Sequence, residues 1–335
     1  MNLSIMFKKL IPSKLKNNFN KIKAKYIAYN VYNYDVTRYL TYSNTINKND
    51  SGLKLMGLII QRYHSIEKGL TMPDMRYGFG KDVMTSLIVD CCLYYEKYDK
   101  KNKQFQHAVN VIAEYKRIHL KNNQPIDEAV LERINYLLYL IPNNNATEQI
   151  LISKEHYFLH NSSSFDEFSN SRHSIRSFNG SVAIETIEKA VNLAQNAPSA
   201  CNRQPVKIHI VKDKNKIKDL LNIQIGNRGF GHLADKLLVL TSDLSGYGGI
   251  RERNLPYIDA GIYIMNLLYS LHFYKIGACP LNWCVTPDAD KKVIDIINIP
   301  NSEIVMILIA CGDVSDNFKL TDSKRNGTDQ VTKVL

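Results

Sequence analysis

Two short polar motifs constrain this chain more than any other stretch: RHSIRSF at Arg172–Phe178 and APSACNRQP at Ala197–Pro205. Arg172, Ser174 and Arg176 occupy alternate positions, so in extended backbone they project to one side while His173 and Ile175 face the other. Two guanidinium forks and a hydroxyl on one side suit a phosphate, although a solvated basic strand is the plainer reading. Between the motifs, Ser181 is expected to cap a helix, with Glu185 and Glu188 in the early turns where the dipole favours carboxylates. Ile184, Ile187, Val191 and Ala194 give that helix its apolar stripe, and Pro198 stops it. In VKIHIVK, Val206, Ile208 and Ile210 alternate with Lys207 and His209 as a half-buried strand requires. Asn202 and Gln204 each offer a donor and an acceptor, which suits the edge of a heteroaromatic ring with alternating N–H and C=O groups.

The rest of the chain narrows the options. Its 335 residues suffice for a sizeable core, and 44% hydrophobic with 22% charged residues is ordinary for a globular protein. The net charge of +11 makes anionic partners worth considering without bearing on fold; no nucleic-acid motif is found, so none is expected as a partner. Cys91, Cys92, Cys201, Cys279, Cys284 and Cys311 form no CxxC pair and no metal spacing, so they are expected as reduced thiols of a cytoplasmic protein. The longest apolar run, Ile304–Cys311, is too short to cross a bilayer, and no signal peptide is expected. The first 25 residues carry seven lysines and no acid, interleaved with Leu3, Phe7, Leu10, Leu15, Phe19 and Ile22 and interrupted by Pro12. Residues 1–25 are therefore a basic amphipathic arm. It could lie peripherally on an anionic membrane, pack as a helix with its lysines in water, or fray.

Leu53 to about Ile141 is expected to be almost entirely helical, with stripes such as Val83, Leu87, Cys91 and Tyr94, then Phe105, Ala108, Ile112 and Tyr115, then Val130, Ile134 and Leu137. Within it, HSIEKGL puts His64, Glu67 and Lys68 on one helix face until Gly69 ends the turn. A single HxxE is too little for a two-metal bundle, which leaves a salt-bridged cap or residues that reach a cofactor pocket. Asn-rich and Ser-rich breaks at Pro142–Asn145 and Asn161–Ser164, with a short helix between, place a boundary near residue 160. The division is thus a helical region over 1–160 and a second domain over 161–335. GNRGFG at Gly226–Gly231 lacks the order and setting of a dinucleotide fingerprint. Leu237–Thr241 reads as a buried strand. Pro256–Ile276 reads as a long helix burying Ile258, Ile262, Met265, Leu268 and His272, with Gly277 as its C-terminal cap. Thr286 and Pro287 open a short helix through Asn298, and Glu303–Cys311 is a buried strand.

RHSIRSF followed by APSACNRQP resembles the nitroreductase family of flavin mononucleotide (FMN) enzymes, over about Arg172 to Arg325. The resemblance implies an α+β, nitroreductase-like fold: a central, mostly antiparallel sheet flanked by helices, here preceded by an all-helical N-terminal region. It implies that Arg172, His173, Ser174 and Arg176 surround the FMN phosphate and ribityl chain. Asn202 and Gln204 would address the ring's polar edge, with Pro198, Ser199 and Ala200 packing beside it. YIDAGIYIMNLLYSLHFYKIGACPLNW is similar to the family's central helix and following loop, which would bring Cys279, Pro280, Leu281 and Asn282 to the ring. Lys324 and Arg325 either join the phosphate site or sit in a solvated tail. By the same resemblance the protein is a homodimer and a flavin-dependent oxidoreductase. It would take hydride from NADH or NADPH and pass electrons to an electron-poor small molecule, a nitro compound, quinone or similar, in ping-pong fashion. No side chain is required as acid or base, so no catalytic residue is named, and no metal is expected. The HxIEKGL stretch is similar to N-terminal extensions of nitroreductase-like proteins encoded near polysaccharide-biosynthesis genes. Val206 in place of an aromatic, CGDVSDN in place of a Gly-Tyr-Pro-like turn, and the helical first half all depart from the family pattern and leave the acceptor open. Two alternatives remain at this level: a flavin-fold binding protein without NAD(P)H turnover, and a basic protein that binds membrane surfaces or polyanions.

Overall fold

A computed structural model describes residues 12–46, 50–142, 146 and 149–335. Residues 1–11 of the basic arm and 143–145 of the Asn-rich break lie outside the described residues. The chain divides into two compact units, residues 1–55 with 248–253, and residues 56–247 with 254–335.

In the first unit, helix α1 (Ser13–Tyr42) begins directly after Pro12 and runs well beyond residue 25. Proline suits this start, because its missing N–H is one a helix terminus leaves unpaired anyway. Leu15, Phe19, Ile22, Tyr26 and Tyr29 are all exposed along it. Asp35, the first carboxylate, receives Nε and Nη2 of Arg253 at 2.5 and 2.8 Å. The hydrogen bond from Arg253 holds its carboxyl below the usual range.

Helix α2 (Gly52–Leu70) enters the second unit at Met56, and α3 (Lys81–Lys97), α4 (Lys103–Lys121) and α5 (Glu128–Leu140) follow there in succession. The expected stripes point inward at Leu87, Cys91 and Tyr94, at Phe105, Ala108, Ile112 and Tyr115, and at Val130, Ile134 and Leu137, with Val83 half-buried; α2 buries Ile59, Tyr63 and Ile66. Asn102 caps α4 by accepting from Gln104 N–H and Phe105 N–H, and Asp127 caps α5 by accepting from Val130 N–H. Gly69 does not end α2, which continues through Leu70. It is needed because a Cβ there would run into the ring of Phe79.

Four strands, β2 (Val206–Val211), β3 (Lys236–Asp243), β4 (Gly277–Asn282) and β5 (Glu303–Gly312), form an antiparallel sheet in the order β2-β3-β5-β4. A separate antiparallel pair joins β1 (Ile150–Ser153) to β6 (Asn317–Leu320). The short helix expected between the two breaks is present at Lys154–Tyr157; the strand β1 before it was not foreseen, since four residues are too few to show a period of two. Helix α6 (Phe165–Ser171) precedes the first polar motif.

The sheet is buried on both faces, which explains the unbroken apolar runs of β3 and β5. Leu237, Val239 and Leu308 pack with α8 (Lys214–Ile223) and α10 (Pro287–Ile297) on one side. Leu238, Leu240 and Ile309 pack with α7 (Ile184–Ala194) and α9 (Leu255–Phe273) on the other. Truncating any one of these leucines to alanine should cost about 2–5 kcal/mol. The observed architecture is the expected α+β sheet flanked by helices, with a helical N-terminal region.

Three local expectations are corrected. Ser181 does not cap α7; Ala183 stands at that position without a side-chain bond, and the preceding Val182 N–H donates to Asp235 Oδ2 at 2.9 Å instead. On α9, Leu268 and His272 are buried as expected, but Ile258, Ile262 and Met265 are 52%, 42% and 37% exposed. Asp259, Ala260, Tyr263 and Leu267 face the sheet in their place. The helix is apolar nearly all round, so its pattern could not choose a face. Gly277 is not the cap either: α9 ends at Phe273, Lys275 takes the left-handed φ of +58°, and Gly277 opens β4. A Cβ on Gly277 would lie 3.1 Å from the Gly312 carbonyl oxygen of the paired strand and strike Val314.

Candidate functional site

The first polar motif runs beside β4, an edge strand of the sheet: Ile175 N–H donates to Ala278 O at 2.9 Å. This fixes Ile175 in the core and turns its neighbours outward. Arg172, Ser174 and Arg176 line a cavity of about 310 Å³, as their alternation requires. His173 lines it too, departing from that alternation. Its Nδ1 pairs with Ser171 O at 3.0 Å, and burial together with the Arg172 charge pushes its pKa down, so the ring is neutral near pH 7.

The far side of the cavity comes from the chain's C-terminal stretch. Thr321, Ser323, Lys324 and Arg325 all line it. Lys324 and Arg325 are themselves exposed, but the stretch is tied to the helical region. Gln104 Nε2 donates to Lys324 O at 3.0 Å and to Asn326 Oδ1 at 2.9 Å. Tyr63 OH in turn donates to Gln104 Oε1 at 2.5 Å.

Electrostatically the cavity is one-sided. Arg176 is only 8% exposed, with the Phe230 ring 6.0 Å away, and Arg172 Nε is buried without a hydrogen-bond partner among the described residues. Among the described residues no carboxylate forms an ion pair with Arg172, Arg176, Lys324 or Arg325. Arg176 is buried and Arg172 half-buried, while Lys324 and Arg325 are exposed. A buried cation without a counter-charge costs several kcal/mol, so the two arginines with Ser174 make a candidate seat for an anion. The residues fit a phosphate monoester.

The predicted ring contacts on β4 are a strand and not a loop. Cys279 and Leu281 point into the core, Pro280 is half-buried and Asn282 is exposed. Proline is tolerated there because it lies at the sheet edge. Burial pushes the Cys279 thiol up against the opposing pull of Arg176, Lys68 and Arg172, so it stays protonated. Lys68 itself is pushed down by burial and by Arg176, and lines an adjoining cavity of about 360 Å³ with Arg76 and Arg228.

The second polar motif is elsewhere. Pro198, Ser199 and Gln204 line a different, very small cavity with Asp259 and Tyr263 of α9, and the two cavities share no residue. Three non-glycine residues of the loop, Cys201, Asn202 and Gln204, adopt left-handed φ of 53°, 56° and 50°. Each costs on the order of 1 kcal/mol and persists only where surroundings impose it. Here Ala200 N–H donates to Asp259 Oδ1 at 3.1 Å, Gln204 N–H to Ser199 Oγ at 3.0 Å, and Tyr247 OH to Asp259 Oδ2 at 3.2 Å. Asn202 and Gln204 are exposed and bonded to each other, Gln204 Nε2 donating to Asn202 O at 3.1 Å. Asp259 escaped sequence reasoning, although it is the only acid in the apolar stretch Leu255–Phe273.

Residues 170–227 match the model of the nitroreductase family, so the segment carrying both motifs is nitroreductase-like. Among solved structures, the chain is similar to a nitroreductase family protein from Streptococcus pneumoniae TIGR4, at 21% identity and a TM-score of 0.46, over 51% of this chain and 100% of that one. It is also similar to an FMN-dependent nitroreductase from Clostridium difficile R20291, at 22% identity and a TM-score of 0.41, over 48% of this chain and 92% of that one. A nitroreductase family protein from Clostridium novyi NT gives 19% identity and a TM-score of 0.41, over 50% and 90% of the respective chains. No curated protein matches the chain. Among the described residues, no helix is long and apolar enough to cross a membrane.

Proposed function

We propose that this protein is a flavin-dependent oxidoreductase that binds FMN and uses NADH or NADPH to reduce an electron-poor small molecule in a ping-pong cycle. The observation that carries the reading is the cavity where Arg172, Ser174, Arg176, Lys324 and Arg325 converge without a carboxylate, within a segment that matches the nitroreductase family. When bound, the flavin supplies the hydride chemistry, and the protein's part is to hold and orient it. Arg172 and Arg176 donate to the phosphate as forks and Ser174 as a hydroxyl. The β4 segment from Cys279 to Asn282 lies next to Arg176 and offers the ring a wall with no charged side chain of its own.

Pro198, Ser199, Ala200, Asn202 and Gln204 do not share that cavity, so in this reading they serve the cofactor held by a second copy. The exposed apolar face of α9, with Tyr257, Ile258, Ile262 and Met265, supports such a homodimer. The same helix holds the strained loop through Asp259. Electron acceptors enter where the donor left, and no side chain of this chain need act as acid or base.

The purified protein should be yellow, and NADH or NADPH should bleach it under anaerobic conditions. A colourless protein that takes up no added FMN refutes the reading. A yellow protein that neither nucleotide bleaches is a flavin binder without turnover.

A further inference from the structure

The anion cavity has a wall that the nitroreductase-like segment does not supply. Tyr63 and His64 of α2 line it, although α2 belongs to the helical N-terminal region. His64 Nδ1 lies 3.2 Å from Glu67 Oε2, while Glu67 Oε1 lies 2.7 Å from His107 Nε2. Glu67 is completely buried. Burial alone would push its carboxyl up, but the hydrogen bonds and charges of His107 and His64 outweigh that and hold it at about 2. It is therefore an anion with one imidazole on each oxygen, and both rings donate to it.

The two rings differ in what their second nitrogen meets. His107 turns Nδ1 toward Asp322 at 3.7 Å, so it is closed off among acids. His64 has Nδ1 on Glu67 and, among the described residues, no protein partner for Nε2, and its ring stands at the cavity wall. A carboxylate on one imidazole nitrogen fixes the orientation of the ring and so the direction of the other, as in the outer ligands of metal sites. A salt-bridged cap alone would not need the ring at that wall.

We propose that His64 is a binding residue of the anion seat. Its ring, oriented by the Glu67–His107 pair, offers Nε2 to the same phosphate monoester that Arg172, Ser174 and Arg176 hold. The inference rests on the reading that this phosphate belongs to FMN. It makes the helical region a component of the cofactor site and not only a cover.

The test titrates flavin-stripped protein with FMN and with riboflavin, following the quenching of flavin fluorescence. His64→Ala and the bulkier His64→Gln should weaken FMN binding ~10- to 100-fold, the loss of one charge-assisted bond, and change riboflavin binding less than about twofold. His64→Arg should retain most of the FMN affinity, and Glu67→Gln should lose part of it. Unchanged FMN affinity in His64→Gln overturns this inference alone. So does equal weakening of FMN and riboflavin, which would mean the residue is structural. Wild-type protein that takes up no FMN overturns the cofactor reading and this inference with it.

Discussion

Arg176 offers a test in which stability and binding should move in opposite directions. Its guanidinium is 8% exposed, has no carboxylate partner among the described residues, and shares its surroundings with the Lys68 ammonium. Replacing it with the unbranched, apolar Arg176→Met removes a buried cation and a like-charge repulsion while keeping most of the volume. Replacements of buried ions by packed apolar groups gain about 1–4 kcal/mol, so the flavin-stripped variant should be about 1–3 kcal/mol more stable than flavin-stripped wild type. Binding should suffer. Losing two charge-assisted bonds to phosphate is worth about 3 kcal/mol or more, roughly 100-fold in Kd. Urea unfolding reads both quantities in one experiment. At an FMN concentration of about 100 times the wild-type Kd, FMN should add about 2.7 kcal/mol to wild type but only about 0.4 kcal/mol to the variant. The reasoning fails if the flavin-stripped variant is less stable than wild type by about 1 kcal/mol or more. It fails equally if FMN still adds its full increment.

Other positions give independent checks. His272 is buried with no partner for Nδ1 among the described residues, and burial chiefly, then the Arg172 charge, pushes its pKa from 6.5 down to about 4. Its neutral form is the native one, so its contribution is complete above pH 6.5 and declines as pH falls toward 4, by on the order of 3 kcal/mol in all. Urea midpoints of wild type and His272→Gln should therefore converge over that window; parallel curves would refute the assignment. Gly277→Ala should cost about 1–3 kcal/mol in thermal or urea unfolding, because its Cβ would lie 3.1 Å from Gly312 O; a neutral effect would show that β4 can shift away. Ile262→Glu, on the exposed face of α9, should convert a dimer to monomers in sedimentation and release flavin in the same step. A variant that stays dimeric would mean that another surface pairs the copies.

Much of the fold was legible in residue order because local physics decided it. The half-buried strand Val206–Val211, the inward stripes of α3 to α5, and the Thr286 cap that accepts from Ala289 N–H follow from period, capping and proline geometry. The pairing of Arg172, Ser174 and Arg176 on one side of an extended segment was likewise local. What failed were choices that local pattern leaves undecided. α9 is apolar on both sides, and only packing against β3 and β5 selected Tyr263 and Leu267 over Ile258 and Ile262. β1 is four residues long and is defined by its pairing with β6, far along the chain.

For the site, the two motifs by themselves determined the chemistry: an excess of guanidinium groups that calls for an anion, and an amide-rich loop. Tertiary structure decided which groups meet. It drew Lys324 and Arg325 to the arginines through the grip of Gln104, kept the 198–204 loop out of their cavity, and set His64 at its wall on an ionised Glu67. Charge and hydrogen-bonding type are properties of single residues and can be read in order along a chain. Which of them share a low-dielectric space depends on how the core closes, and that is set by contacts between residues far apart in sequence.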